Sequence, residues 1–133
     1  MKDQFVIAHL TDLEHTDIVV SHALQLAGFL QKDIILLYVE DEKYNGCTAN
    51  EASQKLKTLS ETLPGTSYCA LKGKTKEIIS SLPTMLNGIV VVTQVDSNAP
   101  KRTPLHYKEV LRNYAESKIA FLAVQGKASH PES

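Results

Sequence analysis

No stretch of this 133-residue chain approaches the roughly 18 consecutive apolar residues of a membrane-spanning helix. The opening MKDQFVIAHLTDLEHTD breaks its apolar run at His9, Thr11 and Asp12, short of a signal-peptide core. The expectation is a cytoplasmic protein without membrane insertion. Cysteine is scarce. Cys47 and Cys69 stand apart without CxxC or Cys/His spacing, so neither a disulfide nor a zinc site is expected. Charge of one sign is lacking too: 14 Lys and Arg face 15 Asp and Glu, a formal charge of −1 that offers no basic field to nucleic acid. Glycine is missing from one long segment, with none between Gly88 and Gly126.

What the chain does have is enough apolar residue, 43%, for one packed core, and a regular alternation of two periodicities. Short apolar runs mark strands at 5–10, 33–39, 66–71, 89–93 and 119–124. Between them, apolar residues recur at spacings of three and four. The stripes are Val19, Ala23, Leu26, Ala27 and Leu30; then Ala52, Leu56, Leu59 and Leu63; then Ile78, Ile79, Leu82, Met85 and Leu86; the last helix spans about 105–116. Thr16 or Asp12 is placed to cap the first helix. Pro83 is expected to kink or shorten the third, because it lacks an amide donor. The segments 40–50 and 94–104 are polar and lack apolar periodicity, so both read as loops. Residues 1–125 form one domain in this reading, and the tail 126–133, GKASHPES, is expected to be disordered. The order β-α-β-α-β-α-β-α-β calls for an α/β fold, a single-domain open five-stranded parallel sheet with helices on both faces. Ligands of such sheets sit beyond the carboxyl ends of the strands, so the residues after each strand are the ones to watch.

One motif there misleads. Lys72-Gly73-Lys74-Thr75 resembles the end of a phosphate-binding loop, but GxxxxGK[ST] requires a glycine where Tyr68 stands, inside a strand run. Gly73 therefore reads as a turn from strand into helix, with Lys72 or Lys74 able to approach an anion only by charge. Catalytic patterns are equally thin. His9, His15, His22, His106 and His130 are scattered, and neither GxSxG nor HExxH occurs. No catalytic or metal site is expected.

Several segments taken together resemble the universal stress protein family over residues 5–124. VIAHLTDLEHTDIVVSHALQLAGFLQKDIILLYVEDE is similar to the family's first strand ending in Asp, its polar turn, first helix and second strand. LKGKTKEII, GIVVVTQ and HYKEVLRNYAESKIAFLAVQ follow in the family's order and spacing. The resemblance implies the fold shared by these proteins and the adenine nucleotide alpha hydrolases, and a role in stress response or regulation without catalysis. Relatives with nucleotide affinity carry Gly-x2-Gly-x9-Gly-Ser/Thr after the fourth strand, whose amides hold phosphate; here TQVDSNAPKRTPLHYKE stands instead, with Pro100 and Pro104 and no glycine. The standard triphosphate cradle is absent. Part of the base-binding half is retained in the resemblance: Asp12 matches the acidic residue that contacts adenine and ribose, and Val39 the position whose backbone meets the adenine edge.

Three functional readings follow. The first is a non-catalytic regulatory module. The second is a sensor holding ATP or AMP through a divergent pocket of Thr11, Asp12, Val39, Thr93, Lys101, Arg102 and Thr103, in which the basic loop replaces the missing amides with charge-assisted hydrogen bonds. An unrelated small α/β enzyme on the same sheet is the third possibility. IAFLAV is expected at a sheet edge, where bare backbone and apolar side chains suit pairing with a second copy. A homodimer through Ile119, Phe121, Leu122 and Val124 is expected.

Overall fold

A computed structural model describes residues 3–127. Nine elements alternate along the described residues: β1 (Phe5–His9), α1 (Asp17–Leu30), β2 (Asp33–Glu40), α2 (Ala49–Glu61), β3 (Thr66–Lys72), α3 (Thr75–Met85), β4 (Gly88–Val95), α4 (Tyr107–Tyr114) and β5 (Ala120–Gln125). All strands are parallel and lie in the order β3-β2-β1-β4-β5. The chain thus builds outward from β1 in one direction, returns, and builds outward in the other. The crevice where the direction reverses lies beside the end of β1.

The continuous apolar character of β2 reflects burial on both faces. Ile34, Leu36 and Tyr38 pack with residues of α1 and α2, while Ile35, Leu37 and Val39 pack with Ile79 and Leu82 of α3 and Val110 and Tyr114 of α4. Successive side chains of a strand point to opposite faces, so only a doubly covered strand tolerates an unbroken apolar run. No helix among the described residues is long and apolar enough to cross a membrane.

The element ends depart from the sequence reading in instructive ways. α4 is shorter than the expected 105–116: Leu105 is buried, and its carbonyl accepts the Asp96 amide. His106 then takes the cap position, its ring nitrogen Nδ1 accepting the Lys108 amide at 3.2 Å. α1 starts after Thr16, whose side chain makes no capping bond, and the Asp12 carboxylate accepts the amide of Glu14. α2 is capped by a reciprocal pair, Thr48 inside the segment 40–50 read as loop and Glu51 just beyond it. Pro83 sits inside α3, which ends two residues later at Met85. The polar stretch after β4 is packed down, with Asp96 and Ala99 buried. Of the tail 126–133, Gly126 donates its amide to Val95 and accepts from the Gln94 side chain; residues 128–133, and His130 with them, lie outside the described residues.

Candidate functional site

At the carboxyl ends of β1 and β2 a cavity of about 370 Å³ opens between three loops. β1 and the turn after it supply His9, Thr11 and Asp12. β2 supplies Tyr38 to Glu40, the β2–α2 loop supplies Asp41 and Tyr44 to Cys47, Thr75 comes from the start of α3, and Thr103 to Leu105 come from the β4–α4 loop.

His9 anchors the floor. It is buried at the end of β1, with Nδ1 2.8 Å from the Tyr114 hydroxyl and 3.5 Å from that of Thr93. Burial lowers its pKa to about 4, so the ring is neutral at physiological pH. The same burial raises the Tyr114 phenol above its ordinary range. β1 ends on a residue that cannot be charged cheaply where it stands.

The β2–α2 loop is clamped from two sides. Asp41 accepts the Thr75 amide and hydroxyl and the Lys43 amide, and these bonds outweigh the opposing effect of burial to hold its carboxyl below the ordinary range. Farther along, the Tyr44 hydroxyl donates to Glu109 at 2.7 Å, while Lys43 and Arg112 pair with the same carboxylate at 3.0 and 2.8 Å. Burial works to raise the Glu109 pKa, and these partners bring it below the usual value. At the cavity wall the Tyr38 hydroxyl donates to the Cys47 carbonyl, and Gly46 lies so close to that hydroxyl that a Cβ would collide with it. A side chain at position 46 would have to displace Tyr38.

Of the residues proposed from sequence, Thr11, Asp12, Val39 and Thr103 meet in this cavity. Thr93 stands behind it, buried against His9. Lys101 and Arg102 are exposed and form no part of the wall. Asp12 also pairs with His15 across 3.7 Å. The Thr11 hydroxyl oxygen is buried without a hydrogen-bond partner, an unusual condition for a polar atom in a folded protein. Asp41 was legible by the rule that points to residues following a strand. Tyr44 and Thr75 were not, because their partners are 65 and 34 residues away in sequence. The start of α3, with Lys74 at its cap position and Lys72 at the end of β3 before it, already carries an anion, the Asp41 carboxylate. Both cysteines are free, and among the described residues no group of three or more His, Cys, Asp or Glu is placed to hold a metal ion.

At the far edge of the sheet, β5 pairs, among the described residues, only with β4. Phe121 and Leu122 are 39% and 44% exposed, and Phe121 stacks on Tyr114 at 4.7 Å. Ile119 is buried against the α3 and α4 face, and Val124 is half-buried against the α1 face. Only the first two of the four edge residues present large apolar surface to solvent.

A five-stranded parallel sheet in this order, with its crevice beside β1, is the fold of the universal stress proteins and adenine nucleotide alpha hydrolases. Solved structures share it over nearly the whole chain. The hypothetical protein MJ0577, whose biochemical function was assigned from its structure, is 16% identical, with 97% of this chain and 100% of that one covered at a TM-score of 0.67. A universal stress protein from Archaeoglobus fulgidus is 12% identical, with 93% and 99% covered at 0.64. A universal stress protein solved in complex with cAMP is 12% identical, with 95% and 98% covered at 0.63. No protein-family model matches the sequence, and no curated protein is significantly similar to it.

Proposed function

We propose that this chain is a divergent universal stress protein, a regulatory module that works by binding and not by catalysis, with the cavity at the ends of β1 and β2 as its ligand site and β5 as the seam of a homodimer. The observation that carries the reading is the convergence of Thr11, Asp12 and Val39 on one cavity at the reversal of strand order, in a fold shared with universal stress proteins over nearly the whole chain. The state of His9 supports a binding role: the cavity's imidazole is neutral and tied to Tyr114, a poor arrangement for a base that must take up a proton near pH 7. Bare backbone on β5, with Phe121 and Leu122 exposed beside it, supports the dimer.

A second reading, an adenine-nucleotide sensor, draws on the universal stress protein solved with cAMP and on the pairing of Asp12 with Val39 in one wall. Differential scanning fluorimetry with ATP and AMP decides between them. A ligand well above its dissociation constant raises the melting temperature by linkage, and no shift at millimolar concentration would sink the sensor. A shift that survives Asp12→Ala unchanged would place the nucleotide elsewhere.

A further inference from the structure

The charge of the cavity wall bears on what it can hold. Asp12, Glu40 and Asp41 contribute three carboxylates to it; Lys72 approaches Glu40 to 3.9 Å from outside, but among the described residues no lysine or arginine lines the wall. The chain's means of holding phosphate are absent, occupied or turned away. The Asp41 carboxylate already lies on the first turn of α3. Lys101 and Arg102 are exposed outside the wall. The β4–α4 loop lines the cavity with Thr103, Pro104 and Leu105; Pro104 has no amide, and the Thr103 amide and hydroxyl both donate to the Pro100 carbonyl. The remaining wall is suited to an uncharged molecule. Val39, Leu105 and the ring of Tyr38 offer apolar contact, and the unpartnered Thr11 hydroxyl oxygen offers a hydrogen bond. A volume of about 370 Å³ is in the range of small-molecule sites.

We propose that this cavity takes a phosphate-free ligand of nucleoside size, neutral or cationic, and discriminates against the phosphorylated form. The proposal rests on the reading of the cavity as a ligand site. Its physical basis is like-charge repulsion: a phosphate monoester brings two negative charges toward three carboxylates with no lysine or arginine in the wall to receive them, whereas the parent nucleoside makes the same apolar and hydroxyl contacts without that cost.

Isothermal titration of the full chain with adenosine and AMP, at low and at high salt, tests it. Adenosine is expected to bind at least tenfold more tightly than AMP, ~1.4 kcal/mol, with the gap narrowing as salt screens the carboxylates. Asp12→Asn keeps an oxygen for the Glu14 amide while removing a charge, and is expected to narrow the gap severalfold at low salt. AMP binding as tightly as adenosine overturns the discrimination and leaves the ligand site standing. A gap unchanged by both salt and Asp12→Asn overturns the electrostatic origin. Absence of binding by either compound at millimolar concentration overturns the ligand site, and the proposal with it.

Discussion

The Asp41 carboxylate accepts both the amide and the hydroxyl of Thr75, at 2.9 and 2.8 Å, so that a residue just past the end of β2 closes the first turn of α3. Helix starts leave amides unpaired and carry partial positive charge, and a carboxylate satisfies both. Asp41→Ala is expected to cost about 1–2 kcal/mol, read as a lower urea midpoint at unchanged m-value. An unchanged midpoint would mean that solvent serves α3 as well as Asp41 does.

His9 makes stability depend on pH. Its folded-state pKa of about 4 lies below the 6.5 of a free histidine, so as pH falls the unfolded chain takes up its proton first. The contribution is fully present above pH 6.5, declines between 6.5 and 4, and is lost below 4; its full size is about 3 kcal/mol. His9→Gln cannot titrate. The difference in unfolding free energy between wild type and variant should therefore shrink or change sign from pH 7 to pH 5, and a difference independent of pH would refute the assignment.

The Tyr44–Glu109 bond ties the cavity's loop to α4 across 65 residues of sequence. Tyr44→Phe removes one hydroxyl to a charged acceptor and should cost about 1–2 kcal/mol. Lys43 and Arg112 are about half exposed, so their pairings with Glu109 contribute less. A double-mutant cycle of Tyr44→Phe with Glu109→Gln should give a coupling of about 1 kcal/mol, against near zero for two independent sites.

The edge of β5 predicts an oligomeric state. Leu122→Asp puts a charge on an exposed edge position, and light scattering should show a dimer for wild type and a monomer for the variant, with the far-ultraviolet circular dichroism spectrum unchanged. A wild-type monomer at tens of micromolar rules the seam out. Phe121 is the poorer test, because it stacks on Tyr114 within its own chain.

Element identity was readable from local pattern, and element ends less so. Ile89 to Thr93 has the composition of a strand wherever it is found, but β4 runs on to Val95 because Val95 pairs with Gln125 and its carbonyl receives the Gly126 amide. The Thr48-x-x-Glu51 signature of a helix start was present in the sequence and lay unread across the end of segment 40–50, which has no apolar periodicity. Of the candidate ligand residues, those next to the ends of β1 and β2 fell into the cavity, since a strand carries its neighbours to a known place. Lys101 and Arg102 did not, because an irregular loop gives no periodicity from which side-chain direction can be inferred.

By itself, then, the sequence determined the βα alternation, the doubly buried strands and the lack of a glycine cradle, all of which depend on residue type and spacing within a few turns of chain. The tertiary structure alone decided that Asp41 closes α3, that Glu109 holds Tyr44, that His9 lies neutral against Tyr114, and that the cavity wall carries three carboxylates and, among the described residues, no lysine or arginine. Each of these joins residues from elements far apart in sequence, and only the packing of strands and helices sets the distances and burial on which their charge and hydrogen bonding depend.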